Sequence, residues 1–252
     1  MNRIIILLTV FFLTTGSLFS QVSIKDSSIT IPMFYVAYSY QFPGGDMAER
    51  FGGNSTIGPG FQVKTSKNFV IGAEADFIFG SDVKYGFSIF DDIMTSEDII
   101  INGDGIPAVV VLSERGWIIS GKFGKVIPVL NPNPNSGILV HGSIGYLQHK
   151  IRIEVENNSA PQLKGDYNKG YDRLTGGFCL SEGIGYLFIG NGRIANFYVG
   201  IEFYQAWTKS RRDYIFDLYA PESGRRFDML IGPKISWMIP FHKRAPQEYY
   251  YY

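Results

Sequence analysis

The sequence predicts an all-β protein, an eight-stranded antiparallel transmembrane β-barrel with short periplasmic turns and long extracellular loops. Three observations predict it. First, long stretches alternate with a period of two. From Arg193 to Trp207, Ala195, Phe197, Val199, Ile201 and Phe203 share one parity, and Asn196, Tyr198, Gly200, Glu202 and Tyr204 the other. That is the period of a β-strand, and such stretches outrun the five or six residues usual in a soluble sheet. Second, the connections alternate long and short, as they do when short turns lie on one side of a membrane and long loops on the other. Third, 29 glycines and 15% aromatic residues accompany only 18% charged residues. Mean hydropathy is +0.02, the value expected when apolar and polar faces cancel along every strand.

Residues 1–20 have the layout of a secretory signal: Arg3, an apolar run from Ile4 to Leu13, and Ser17 to Ser20 ahead of Gln21. The run is too short for a spanning helix. Leu18 stands where a small residue is usual, and cleavage is expected near Ser20. Residues 21–32 then form a periplasmic segment, 33–241 the barrel and 242–252 a periplasmic Tyr-rich tail.

The first strand is expected over Met33–Gln41 and the second over Thr56–Thr65, with a turn at Ser66-Lys67-Asn68 before the third, Phe69–Phe79. A loop from Gly80 to Ser113 carries acidic residues at Asp91, Asp92, Glu97 and Asp98. Its apolar pieces, Ile99–Ile101 and Val109–Leu112, are read as extensions of the flanking strands. The fourth strand covers Arg115–Ile127. Pro128–Ser136 is a turn, because its prolines forbid strand continuation. The fifth strand covers Gly137–Ile153, the sixth Leu174–Ile189, the seventh Arg193–Thr208 and the eighth Phe227–Phe241. Loops 42–55, 80–113, 154–173 and 209–226 face outside, and both termini are periplasmic. Trp117, Trp207 and Trp237 fall where aromatic girdles sit.

One residue resists this scheme. Glu182 shares the lipid-facing parity of Phe178, Leu180, Ile184, Tyr186 and Phe188. A carboxylate in hydrocarbon is costly. A β-bulge, a register shift or a contact with a partner protein would resolve it, and the bulge is preferred to the partner contact.

Lys plus Arg and Asp plus Glu both number 23, so the net charge is zero, without the basic excess of a nucleic-acid binder. Cys179 is the only cysteine, which excludes an intrachain disulfide and a Cys-based metal cluster. The three histidines have no metal-ligand spacing, and no cofactor motif stands in a suitable context. Neither a metal nor a cofactor is expected.

The interior parity carries Lys64, Glu74, Asp76, Lys122, His141, Glu202 and Lys234, with Gln62, Asn196 and Asp228. An eight-stranded barrel is just wide enough for side chains to fill, so these residues are read as a paired network rather than a pore or a catalytic cluster. His141 and Ser143 share a strand face, but no third group to orient them is indicated, and His149 falls toward the outer rim near Glu154 and Glu156. In the last outer loop, Arg211 and Arg212 suit an anionic headgroup or an acidic partner. Tyr249, Tyr250, Tyr251 and Tyr252 have no core to enter and suit a docking contact.

GIGYLFIGNGRIANFYVGIEFYQAWTKSRRDYIFD (Gly183 to Asp217) and KISWMIPFHKRAPQEYYYY (Lys234 to Tyr252) resemble small outer-membrane β-barrel proteins of the Bacteroidetes. Within that group they are similar to the PorG-like barrel of the type IX secretion and gliding machinery. The resemblance implies a non-enzymatic outer-membrane subunit that contacts outer-membrane lipid and periplasmic or outer-membrane proteins. It brings no catalytic residues. A lipid-modifying or proteolytic barrel enzyme, and a passive adhesin or envelope barrel, are the alternatives.

Overall fold

The computed structural model describes residues 27–130, 132–190 and 194–241. The expected signal over 1–20, most of segment 21–32 and the tail with Tyr249 to Tyr252 lie outside these residues. The strands are β1 (Ile31–Gly45), β2 (Asn54–Lys64), β3 (Phe69–Gly80), β4 (Val110–Ile127), β5 (Gly137–Val155), β6 (Thr175–Ile189), β7 (Asn196–Ser210) and β8 (Arg225–Pro240). Each pairs antiparallel with the next, and β8 returns to β1, so the barrel is closed. Closure leaves no strand edge unpaired, which is what allows β-structure to cross hydrocarbon.

Alternation predicts the strands well and their ends less well. β1 runs to Gly45 rather than Gln41, because β8 continues to pair with it from Phe42↔Ile231 to Gly45↔Asp228. It also starts at Ile31, inside the segment assigned to the periplasm. β4 starts at Val110, so the extension expected at Val109–Leu112 forms: Val110–Leu112 pair with Val155–Ile153. β7 starts at Asn196, with Ile194 and Ala195 ahead of the ladder. The expected extension at Ile99–Ile101 does not form. Ile101 bridges to Pro107, and Ile100 turns into the core instead. Ile100 is buried by this turn, while Ile101 stays exposed.

The bulge expected at Glu182 is absent. The ladders pass residue by residue through it, Gly142↔Glu182 on one side and Glu182↔Phe203 on the other. A one-residue slip would turn every apolar neighbour inward. The strand keeps its register and Glu182 stays outside, exposed.

The outer surface is an apolar belt. Phe34, Val36, Ile71, Phe123, Ile144 and Ile201 are all at least half exposed. A continuous apolar surface of this extent is matched by lipid, not water. Aromatic pairs mark both ends: Phe178 on Trp207 toward the long loops, and Phe188 on Phe197 toward the short turns. Trp237 Nε1 donates to the Ile194 carbonyl at 2.7 Å on the short-turn side.

The interior is layered. An apolar plug at the short-turn end contains Ile31, Met33, Val70, Val126, Leu139 and Leu187. A second, under the long loops, contains Ile118, Leu147, Ile151 and Leu230. Loop residues join the second plug: Met47 from the one-turn helix Met47–Arg50, Phe51 just after it, and Ile89 and Phe90 from the 3-10 turn Gly86–Ile93. Charged groups lie between the plugs. Large interior side chains need small ones opposite. A β-carbon at Gly60 would overlap the Tyr35 ring. Gly60→Val is expected to destabilise the barrel by about 1–3 kcal/mol, as overpacking does, measured by denaturant unfolding.

Candidate functional site

The interior belt centres on Lys234. Its Nζ donates to Glu74 Oε1 at 2.9 Å, Glu202 Oε2 at 3.0 Å and Asp76 Oδ2 at 3.4 Å. Lys122 Nζ donates to Glu74 Oε2 at 2.9 Å and lies 3.8 Å from Glu202 Oε1. His141 Nε2 is 3.3 Å from Glu202 Oε1 and 3.2 Å from the Tyr198 hydroxyl. Strands β3, β4, β5, β7 and β8 thus converge on one cluster, because their interior parity meets at this level of the barrel. Six of the seven interior residues singled out from parity meet here. Lys64 stands apart at the short-turn end, where its Nζ donates to Asn135 Oδ1 at 2.9 Å and Ser28 Oγ at 3.0 Å.

Three tyrosines complete the belt. Tyr35 donates to Glu74 at 2.8 Å, Tyr204 donates to Glu202 at 2.5 Å, and Tyr198 faces His141. Parity places all three inside, but residue type alone reads a tyrosine as well for the girdle. A second cluster lies nearer the long loops. Asp228 accepts from Arg50 at 2.6 Å and Thr208 at 2.6 Å, and His149 is 3.2 Å away. His149 thus lies toward the long-loop end, as expected, but fully buried in the lumen against Asp228. Arg50 comes from the loop helix, and no local pattern marks it as an inward residue.

Ser143 and His141 have other partners: the Ser143 hydroxyl is 2.6 Å from that of Ser181. Cys179 is buried in β6. Among the described residues no group of three or more His, Cys, Asp or Glu side chains has metal-holding geometry. The belt therefore pairs charges and fills the lumen between two apolar plugs.

The outer wall offers a different arrangement. Glu182 has no hydrogen bond or ion pair among the described residues. It lies roughly 13 Å along β6 from Phe178 and roughly 20 Å from Phe188, at the strand rise of about 3.3 Å per residue. It is thus well inside the apolar belt. The wall beside it is hollow. Gly142, directly opposite, faces out, and a β-carbon there would meet nothing nearer than the Ser181 carbonyl at 3.5 Å. The resulting groove of about 670 Å³ is walled by Phe123, Val140, Ile184, Ile201 and Phe203, with Lys125 at its edge.

The long loops are tied together by charge. Arg212 holds Asp172 with two bonds, Nε to Oδ1 at 2.8 Å and a terminal nitrogen to Oδ2 at 2.5 Å. These bonds raise the Arg212 pKa further above its ordinary value. Arg173 bridges to Asp217 and, at 3.3 Å, to Glu222. Of the two loop arginines singled out above, Arg212 is thus engaged within the protein. Arg211 is exposed over the Tyr146 ring, 5.7 Å from its centroid, at the outer rim. Arg212→Ala is expected to open residues 209–226 to added protease about tenfold or more, since a charged hydrogen-bonded pair contributes about 1.5–3 kcal/mol. Limited proteolysis of the folded barrel measures it.

No protein-family model matches the chain, and no curated protein matches it. Among solved structures, the chain is similar in shape to Ail, the attachment invasion locus protein of Yersinia pestis. The TM-score is 0.43 at 8% identity, over 84% of this chain and 99% of that one. The outer membrane protein OprG from Pseudomonas aeruginosa matches with a TM-score of 0.40 at 10% identity, over 88% of this chain and 100% of that one.

Proposed function

We propose that this protein is an exported, non-enzymatic outer-membrane barrel that serves as a membrane platform for a partner protein. The unpaired carboxylate of Glu182 inside the apolar belt carries this reading. A lone carboxylate facing lipid is unfavourable. It is satisfied when a membrane-embedded partner offers a donor there, and the outward-facing Gly142 lets that partner approach the sheet closely. The plugged interior supports a scaffold over a pore, because both ends of the lumen are closed by packed apolar side chains. The resemblance of residues 183–217 and 234–252 to PorG-like barrels directs the search to secretion and gliding components. In this scheme Tyr249 to Tyr252 add a periplasmic contact, and Arg211 meets anionic headgroups at the outer rim.

The test is co-purification from detergent-extracted envelopes. Wild-type protein is expected to bring down a defined membrane partner. Glu182→Leu is expected to recover at least about tenfold less of it, since truncating one member of a buried charge pair costs about 2–5 kcal/mol. Equal recovery with both proteins overturns the reading. So does recovery of the protein in the soluble periplasmic fraction.

A further inference from the structure

At the outer end of the barrel, three loops meet around a cleft of about 680 Å³. That is within the size range of small-ligand sites. The 81–109 loop contributes Asp92 and Ile93. The 156–174 loop contributes Pro161, Gln162, Tyr167 and Tyr171, and the 211–224 loop Tyr214, Phe216 and Tyr219.

The rings are organised around Phe216. Tyr171 packs edge-on against it at 5.1 Å, Tyr214 at 5.9 Å, and Tyr167 lies 6.5 Å away. This packing depends on Gly170, where a β-carbon would overlap the Phe216 ring. Tyr219 is held in the left-handed region at φ 50°, a conformation unfavourable for a bulky residue. Its amide donates to the Phe216 carbonyl at 3.0 Å, which holds the turn in place. Tyr219 is 71% exposed and Tyr167 63% exposed. Two tyrosines are thus left open to solvent beside a fixed aromatic floor.

The cleft is also electronegative. Asp92 is exposed and has no hydrogen bond or ion pair among the described residues. Asp217, outside the lining, is paired with Arg173. The Tyr171 hydroxyl is pushed up to about 12, first by burial and then by the negative charge of Asp92 and Asp217. Aromatic rings attract cations through their quadrupole, and a free carboxylate beside them adds to that attraction.

We propose that this cleft binds an alkylated ammonium group of the trimethylammonium kind, with the rings of Tyr167, Tyr214, Phe216 and Tyr219 around it and Asp92 as its counter-charge. The ring faces of the walls favour an alkylated over a primary ammonium. A lysine-type ammonium carries three N–H donors that each need an acceptor. Beside the carboxylate, the acceptors in the lining are tyrosine hydroxyls at the ring edges and the Gln162 amide oxygen, while the ring faces and the aliphatic surface of Ile93 and Pro161 offer none. A quaternary ammonium has no N–H to satisfy and presents only methyl groups to the rings. This inference concerns the outer loops alone and does not depend on Glu182.

The experiment is calorimetric titration of the full chain in a maltoside detergent, which contains no choline headgroup. The probes are choline, its neutral isostere 3,3-dimethylbutan-1-ol, and N-acetyl-lysine methylamide. Choline is expected to bind at least about tenfold more tightly than either of the others. Asp92→Asn and Tyr219→Ala, both surface changes, are each expected to weaken choline about three- to tenfold. Three outcomes overturn the proposal: no heat with choline at millimolar concentration, equal binding of the neutral isostere, or choline binding untouched by Asp92→Asn. Tighter binding of the lysine derivative also overturns it and assigns the cleft to a protein side chain instead.

Discussion

Lys234→Met is expected to destabilise the barrel by about 3–5 kcal/mol, the cost of leaving buried charge uncompensated. Lys234 is 2% exposed and lies within 3.4 Å of carboxylate oxygens from Glu74, Asp76 and Glu202. With Lys234 gone, Lys122 remains as the one ammonium facing the three acids. It touches Glu74 at 2.9 Å and reaches Glu202 only at 3.8 Å. Asp76 then has no cation within salt-bridge distance among the described residues. Methionine fills the volume but accepts no charge, so the effect is electrostatic rather than a cavity. Unfolding of the lipid-reconstituted barrel in denaturant, followed by the gel shift between folded and unfolded forms, measures it. Adding Glu202→Gln to Lys234→Met should return part of the loss, since it removes one unpaired acid. A cost below about 1 kcal/mol would mean that water, not Lys234, solvates the acids.

Glu182→Leu is expected to act in the opposite direction on the isolated barrel. Removing a lipid-facing carboxylate stabilises it by about 1–2 kcal/mol, less than the 2–4 kcal/mol attached to a basic group at mid-bilayer. The same substitution is expected to abolish most partner recovery from envelopes. The two signs together separate binding from folding. A residue that merely held the wall together would lower stability and recovery in step. Glu182→Gln provides a finer measure, because the amide keeps an acceptor for a neutral donor but loses the charge that favours a cationic one. A barrel destabilised by Glu182→Leu would place Glu182 among the structural residues.

The closed barrel and the inside–outside assignment were legible because every strand repeats the same simple pattern. Phe197, Val199 and Ile201 face out, and Tyr198, Glu202 and Tyr204 are buried inside. The same parity places Glu182 outside, and the ladder runs through it without the expected bulge. Register holds it there, because a slip of one residue would reverse Phe178, Ile184 and their neighbours. The loops were the least legible. Asp91 and Asp92 stood out as acids in a polar stretch, but nothing in that stretch says that Tyr167 and Tyr214 come to share a cleft with Asp92.

Alternation by itself determined strand number, strand neighbours and the face of each residue, because a β-strand has only two sides and each solvent selects one. It could not determine which interior charges meet. Lys64 and Lys234 have equal standing by parity. Depth separates them: Lys64 bonds to Asn135 at the short-turn end, while Lys234 reaches the Glu74 and Glu202 carboxylates between the plugs. Depth depends on the stagger of eight strands around a closed ring, and that is a property of the ladder rather than of any one strand. The groove at Glu182 and the aromatic cleft arise in the same way, from residues on several strands or loops that only closure brings side by side.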